Sequence, residues 1–304
     1  FSYNDGSAKL WSPQNFDNKT GGFTTLRWGL AESINIVAAR LIIEDYAPLW
    51  KIGRFAEQMG IKTKLELVPS IALGSSVVSP LEIISAYATL GNKGIYNEPI
   101  SILRIEDKDG VLIDKFTNFS SEAIPEETAY IVTDMMTTVV DQGTGAASRS
   151  VYNFRRPAAG KTGTTQEFSD AWFIGFTPQI TAGVWVGFDD HRIKFGGSFG
   201  QGASAALPIW ALFMHDVYEQ INLPVEDFTP PASGNVVSVT FCRESIYELG
   251  QPRLISGDCR TGGITDIINK KDIPPPFDAM LDNEPRFNPY QFIDSTNVNN
   301  YKNK

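Results

Sequence analysis

The sequence predicts an α+β fold, in which an antiparallel sheet carries helices on both faces and a loop-rich tail follows. Three strand-like segments at residues 158–165, 171–176 and 181–188 are separated by turns short enough to make them antiparallel neighbours. Segments with helical periodicity lie before and after this group. Paired and tripled prolines and a final asparagine-rich stretch then interrupt regular structure. We therefore expect a main domain over residues 1–222 and an extension over residues 223–304.

Composition excludes several classes of protein. The chain has 304 residues, of which 42% are hydrophobic and 20% charged, as in an ordinary globular protein. A formal charge of −9 argues against a nucleic-acid or anionic-membrane surface, because no basic stripe is available to neutralise phosphates. No apolar run approaches the roughly 18 to 20 residues that span a bilayer, and the chain begins at Phe1 without a signal sequence. We expect it to be a piece of a longer protein.

The first part of the chain is predicted to be a loop followed by helices. Residues 24–31 begin a helix with a threonine as candidate cap, and helical periodicity resumes after an interruption at residues 32–35. Ser33 and Asn35 therefore lie where two helices meet. The next helix is expected to end at Gly60, and the one after it to begin at Pro80 and end before Gly91. The predicted helices are residues 24–31, 36–43, 49–59 and 80–90.

The remaining elements are predicted in the same way. Residues 100–106 and 111–116 alternate like strands around a turn at residues 107–110, which predicts a hairpin. Helices are predicted at residues 126–140 and 208–218, and in the tail only residues 236–241 resemble a strand.

The two cysteines, Cys242 and Cys259, both lie in the C-terminal quarter of the chain. They are too few for a disulfide scaffold and lack the companion ligands of a zinc site. The sequence leaves open a single local disulfide and two buried free thiols, because pairing depends on the compartment.

The predicted first strand of the sheet carries the best candidate for an active site. Lys161 supplies a fixed positive charge, Thr162 and Thr164 supply hydroxyl and backbone donors, and Gly163 leaves room for another backbone alongside. Lys-Thr-Gly arises by chance in roughly one chain in fifteen of this length. The tripeptide alone is therefore weak evidence.

Other interpretations of the polar clusters fail on context. A phosphate-binding loop ending at Thr162 needs glycine at position 155, where the chain has Arg155, and residues 163–165 are poor helix material. Gly196–Gly200 matches the pattern of a serine-hydrolase elbow, but no acidic residue separates Ser198 from His215, the last histidine.

A metal site has little support in the sequence. Asp189, Asp190 and His191 are consecutive, so their side chains point in different directions, and His215 is the only other histidine. We expect neither a metal nor another cofactor.

The pattern Ser-x-Asn is common and becomes informative only through its setting. Ser33 and Asn35 are flanked by helices on both sides, where two polar side chains can be held toward a cleft. Without Lys161, a pair of residues capping a helix would be the preferred interpretation. The other three occurrences lie in predicted loop or tail, at residues 2–4, 233–235 and 295–297.

Taken together, the helix-flanked Ser33-Ile34-Asn35 and the strand residues Lys161–Thr164 resemble the second and third motifs of the serine penicillin-recognising enzymes. Further segments resemble the transpeptidase domain of class A penicillin-binding proteins, the bifunctional peptidoglycan synthases. The resemblance covers roughly residues 8–222 and implies the transpeptidase fold shared with β-lactamases. Its segments are residues 25–27, 35–40, 72–74, 79–82, 86–90, 143–145, 170–176 and 206–210.

One departure from the family pattern is informative. The family's nucleophile is the serine of a Ser-x-x-Lys motif upstream of Ser-x-Asn, and no serine in this chain is followed three positions later by lysine. We expect the nucleophile in a missing upstream part of the same protein, rather than its loss in evolution.

The resemblance implies peptidoglycan D,D-transpeptidation, in which the upstream serine attacks the penultimate D-alanine carbonyl of a stem peptide and an amine takes the acyl group. Ser33 would relay a proton to the departing amine, Asn35 would hold the donor peptide's amide, and Lys161 would keep the site electropositive. The hydroxyls of Thr162 and Thr164 would bind the terminal carboxylate.

The same resemblance implies the remaining contacts and partners. The Thr164 backbone N–H would complete an oxyanion hole, and substrate would lie along Gly163 as an added strand. Stem peptides, β-lactam antibiotics and the upstream part would be the partners. The protein would sit on the extracytoplasmic (periplasmic) face of the cell membrane, held by an N-terminal anchor absent from this chain. Three alternatives stay open: a β-lactamase, a D,D-carboxypeptidase, and a non-catalytic relative that binds the cell wall.

Overall fold

The computed structural model of the protein describes residues 11–19, 21–190 and 192–278. These residues form two compact units, one built mainly from Leu26–Val236 and one from Gly21–Thr25 together with the chain from Val237 onward. The predicted boundary between residues 222 and 223 stays a prediction. No helix in the described part of the chain is both long enough and apolar enough to cross a membrane.

The predicted long helices of the first unit are confirmed, with ends within a few residues of the prediction. Helix α4 shows why, because Ser79 accepts a hydrogen bond from the Glu82 N–H while the Glu82 carboxylate accepts one from the Ser79 N–H, with proline in the first turn. The helices are α1 (Leu26–Ala31), α2 (Asn35–Ile43), α3 (Leu49–Gln58), α4 (Pro80–Gly91), α5 (Glu126–Asp141), α6 (Ala147–Ser150), α7 (Gly202–Ala205) and α8 (Leu207–Ile221).

Seven strands of this unit form three separate antiparallel sheets. The predicted three-stranded sheet is confirmed with the order β5-β6-β7, and the predicted hairpin is confirmed as β2 and β3, although both strands are shorter than expected. The short pair β1 and β4 was not predicted. The strands are β1 (Ile95–Asn97), β2 (Arg104–Glu106), β3 (Leu112–Lys115), β4 (Ser120–Glu122), β5 (Ala159–Thr164), β6 (Asp170–Phe176) and β7 (Thr181–Gly187).

Helices cover both faces of the three-stranded sheet, as predicted. On one face Phe173 of β6 packs against Trp210 of α8, with ring centroids 5.0 Å apart, and both are fully buried. On the other face Phe176 packs with Ala159 of β5 and Met136 of α5. Because strand side chains alternate between faces, β6 anchors both layers of the core and holds β5 in place beside it.

The second unit contains more regular structure than predicted. Strand β8 (Val236–Cys242) was expected, but β9 (Gly263–Asn269) and the short helix α9 (Arg243–Tyr247) were not, so the prediction of a single strand in the tail is wrong. The two strands pair with each other. Cys242 and Cys259 form a disulfide, which resolves the alternative left open by the sequence.

Candidate active site

The strand that carries Lys161 lies at an edge of its sheet. In the order β5-β6-β7, β5 pairs only with β6, with Lys161 opposite Ile174 and Gly163 opposite Trp172. Among the described residues, the other edge of β5 has no strand partner. Strand β5 is therefore an edge strand, and its outward N–H and C=O groups lie where an added strand can pair with them.

Ser33 lies in the tight connection between α1 and α2. The Ile34 N–H donates to the Gly29 carbonyl at 2.8 Å and the Ser33 N–H to the Leu30 carbonyl at 3.2 Å. Ser33 itself has a φ of 55°, which is uncommon for a residue other than glycine. Such strain persists where the surrounding structure fixes the backbone, and it occurs often at functional sites.

The side chains of Lys161 and Ser33 meet between β5 and the connection from α1 to α2. The Lys161 Nζ donates to the Ser33 Oγ at 2.8 Å and to the Thr162 carbonyl at 2.9 Å. The two side chains are 128 residues apart in sequence and in direct contact in the fold. No carboxylate in the described part of the chain forms an ion pair with Lys161. The ammonium group is therefore an uncompensated positive charge.

Burial changes the titration of this group. Loss of hydration disfavours the charged form and lowers the pKa of the Lys161 ammonium from its ordinary value to about 8. At neutral pH the group is still mainly protonated, so it donates hydrogen bonds and attracts anions.

The two threonines beside Lys161 have fixed partners. The Thr162 Oγ1 lies 2.8 Å from the Thr144 Oγ1, and the Gly202 N–H donates to the Thr164 Oγ1 at 3.0 Å. At Gly163, a Cβ atom would lie 3.0 Å from the Trp172 Cβ, so a side chain there would press on the neighbouring strand.

Asn35 contacts the loop that precedes α1. It is the first residue of α2, and its Nδ2 donates to the Gln14 carbonyl at 2.8 Å. The neighbouring Asn15 accepts from the Ile36 N–H at 3.1 Å, so residues 14 and 15 cover the start of this helix. Within the described residues, Asn35 makes no hydrogen bond to Ser33 or Lys161. Its role at the site stays a prediction.

The structure adds two residues that the sequence analysis did not assign to the site, although both lie in segments that carry the family resemblance. Thr144 touches both motif-bearing segments, since its N–H donates to the Ala31 carbonyl at 3.0 Å and its hydroxyl meets Thr162. The sequence signal for Thr144 was its position between two glycines directly after a predicted helix. At the far end of β5, buried Asp170 accepts from the Ser169 hydroxyl at 2.9 Å and from the Trp185 Nε1 at 2.8 Å.

The competing patterns have their own local structure or partners. Gly197–Gly200 is a short 3-10 turn, and Ser233 and Asn235 both donate to the Glu127 carboxylate. The Ser-x-Asn patterns at residues 2–4 and 295–297, and His191, lie outside the described residues.

One group on α8 has ligand atoms within 4.8 Å of one another, and all three side chains reach solvent. The group consists of His215, Asp216 and Glu219.

Known proteins are similar to this chain. Residues 2–194 match the family described as penicillin binding protein transpeptidase domain. Penicillin-binding protein 1A of Aquifex aeolicus is 38% identical over 237 residues, which are 78% of this chain and 31% of that protein. The curated relatives it matches are much longer, and the chain spans between about a quarter and about a third of the length of the most similar ones.

Solved structures give the same fold. Penicillin-Binding Protein 1A from Haemophilus influenzae has a TM-score of 0.78 at 23% identity, covering 90% of this chain and 44% of that one. PonA1 from Mycobacterium tuberculosis in complex with penicillin V has a TM-score of 0.60 at 25% identity, covering 72% of this chain and 62% of that one. The predicted α+β transpeptidase fold is confirmed.

Proposed function

The chain belongs to the penicillin-binding protein transpeptidase family, and from this premise we propose that it is the C-terminal part of a D,D-transpeptidase domain that cross-links peptidoglycan stem peptides. One observation carries the proposal: Lys161, on an edge strand beside two threonines, donates to Ser33 at 2.8 Å. A positive charge, hydroxyl donors and an open strand edge are what a peptide ending in a carboxylate requires.

The covalent chemistry begins with a serine in the upstream part of the protein. Its oxygen attacks the penultimate D-alanine carbonyl, an ester forms, and the amide bond to the terminal D-alanine breaks. The departing amine needs a proton. Ser33 passes it the proton that the upstream serine loses, while Lys161 holds the Ser33 hydroxyl in place. An amine from a second peptide then attacks the ester carbonyl and forms an amide. The ester C–O bond breaks, and the proton that the amine loses returns to the serine oxygen.

Lys161, Thr162 and Thr164 bind the terminal carboxylate. The lysine supplies the charge, and each threonine supplies a hydroxyl proton at short range. Burial strengthens this attraction, because charges that have lost hydration interact at a lower effective dielectric constant than in bulk water.

The backbone of β5 holds the donor peptide and stabilises the oxyanion. The Thr165 N–H donates inward to the Asp170 carbonyl at 3.0 Å, and N–H groups alternate along a strand. The Thr164 N–H therefore faces the free edge, where it can donate to the tetrahedral oxyanion with the N–H of the upstream serine. Beside it, Gly163 has no side chain to press on Trp172 of the neighbouring strand.

The proposed cellular setting follows from the same chemistry. Stem peptides lie outside the cytoplasm, so the domain works on the extracytoplasmic (periplasmic) face of the membrane, anchored by the upstream part. β-Lactams bind as mimics of the stem peptide, and Asn35 contacts the amide of either ligand.

We expect the intact protein to transfer an acyl group rather than only to hydrolyse it. The test supplies a stem-peptide donor with D-alanyl-D-alanine and a second peptide with a free amine, and detects the cross-linked amide by mass spectrometry. Hydrolysed donor without cross-linked product would favour the D,D-carboxypeptidase, and rapid turnover of penicillin the β-lactamase. Failure to form any acyl-enzyme would favour a wall-binding role without catalysis.

The lowered pKa of Lys161 predicts a pH profile. Its charge is present below about pH 8 and is lost as the pH rises through that value, so acylation by a penicillin carrying a free carboxylate should decline above about pH 8. In Lys161→Arg the guanidinium stays charged, and the decline should move to higher pH whatever the absolute rate. Lys115→Arg, on the exposed hairpin, is the matched control. An unchanged profile in Lys161→Arg would assign the decline to another group.

A further inference from the structure

The loop formed by Gly143, Thr144 and Gly145 connects the two halves of the candidate site. It leaves α5 with the Gly143 N–H bonded to the Thr138 carbonyl at 2.9 Å. From there Thr144 donates its N–H to the Ala31 carbonyl at 3.0 Å, two residues before Ser33, and its hydroxyl lies 2.8 Å from the Thr162 hydroxyl. One residue thus contacts both the helix that leads to Ser33 and the strand that carries Lys161.

We propose that Thr144 is a positioning residue for carboxylate binding: its hydroxyl donates to the Thr162 Oγ1, so that the Thr162 proton is directed at the substrate carboxylate. The proposal rests on the proposed function, because it takes the carboxylate to be bound by Thr162 and Thr164. Thr144 itself need not touch the substrate.

The direction of donation follows from what each group can give. A hydroxyl has a single proton and an ionised carboxylate has none, so while Thr162 donates to the ligand, the proton in its hydrogen bond with Thr144 must come from Thr144. When Thr162 donates to the carboxylate, the Thr144 proton completes the chain, and each hydrogen bond polarises the next. Hydrogen-bond donation therefore runs from Thr144 to Thr162, and from Thr162 to the carboxylate.

Thr164 has the same arrangement by a different route. Its Oγ1 accepts from the Gly202 N–H at 3.0 Å, and a backbone N–H can only donate. The Thr164 proton is therefore available for a ligand. With Thr144 as the donor to Thr162, both threonines of the strand accept a hydrogen bond from the protein and keep their own proton for the ligand, so the anion site is oriented before the ligand arrives.

The backbone of the loop explains why Thr144 is held firmly. At Gly143 a Cβ atom would lie 2.3 Å from the Ala31 carbonyl oxygen, so the loop sits in direct backbone contact with the end of α1. The Thr144 N–H completes that contact. Its hydroxyl is therefore set by the same helix that leads to Ser33.

The test compares two ligands in the intact protein, a penicillin with its free carboxylate and the methyl ester of the same penicillin. Thr144→Val keeps the shape of the side chain and removes the hydroxyl, and it should slow acylation by the free acid roughly 3- to 10-fold while leaving acylation by the ester nearly unchanged. Thr144→Ser should restore the rate with the free acid. Thr137→Val is the matched control, because within the described residues that hydroxyl bonds to the Asp134 carbonyl of its own helix.

A second measurement separates the inference from a general loss of structure. If Thr144 acts through Thr162, then Thr144→Val should have little further effect in a Thr162→Val background. Three results would each overturn the positioning role and leave the proposed function intact. They are an equal slowing of acylation by the acid and by the ester in Thr144→Val, an effect on the rate that adds fully to that of Thr162→Val, and an unchanged rate with the free acid. If Thr144→Val does not fold, a Thr144→Ser variant that loses the preference for the free acid overturns it as well. An intact protein that is never acylated would overturn the proposed function and this inference with it.

Discussion

Replacing Lys161 by alanine in the intact protein should slow acylation by a labelled penicillin roughly 10²- to 10³-fold, the cost of losing one preorganised electrostatic group. Two effects add in this variant. The positive charge that attracts the carboxylate disappears, and Ser33 loses the donor that lies 2.8 Å from its hydroxyl. The measurement is the second-order rate constant of acylation at pH 7.

The fold should survive this substitution. Lys161 forms no ion pair with a carboxylate in the described part of the chain, so its removal leaves no buried anion unpaired. Burial already disfavours its charged form, as the lowered pKa shows. Lys115→Ala on the exposed β3 is the control for loss of a lysine elsewhere. A stably folded Lys161→Ala protein that is labelled at a near-normal rate would remove Lys161 from the site.

The parts of the structure that were predictable are those with local signals. The helix at Pro80–Gly91 combines a proline in its first turn with a capping box, so its start was determined by four neighbouring residues. Strand β6 is largely apolar and buried on both faces because helices cover both, which makes it recognisable as a buried strand. Here local preference and tertiary packing agree.

The parts that were missed depend on distant partners. The residues of β9 pair with β8 across a loop, and the short β1 finds β4 after the hairpin, so neither strand is marked by its own sequence. The pairing of Cys242 with Cys259 depends in the same way on how the chain between them folds. No local rule distinguishes such segments from loop.

The candidate site was predicted from residue types together with a family resemblance, and the structure adds the contacts that surround it. Ser33 and Lys161 could be matched because a strand edge and a helix junction both place short motifs at a cleft. The contacts of Thr144 could not be predicted, because they depend on how close to Ala31 the chain lies when it leaves α5. Likewise, the contact of Asn35 with the Gln14 carbonyl depends on how the preceding loop folds back.

The chain of residues 1–304 by itself should form no covalent adduct with penicillin at pH 7. Its sequence contains no Ser-x-x-Lys motif, and the serine best placed in the cleft, Ser33, accepts a hydrogen bond from Lys161. With a pKa of about 8, roughly nine in ten Lys161 side chains are protonated at pH 7 and cannot remove a proton from Ser33. Reversible binding through the carboxylate remains available to the ligand.

Intact-mass analysis after incubation with penicillin measures this directly, on the purified chain with and without any co-purifying upstream fragment. We expect an unmodified mass for this chain and an adduct only on a fragment that carries Ser-x-x-Lys. The same incubation at pH 9, where Lys161 is mainly neutral, is the more demanding condition, because a neutral amine 2.8 Å from Ser33 could act as its base. An adduct on this chain that disappears in Ser33→Ala would make Ser33 and Lys161 a nucleophile and base pair. It would overturn the placement of the nucleophile upstream.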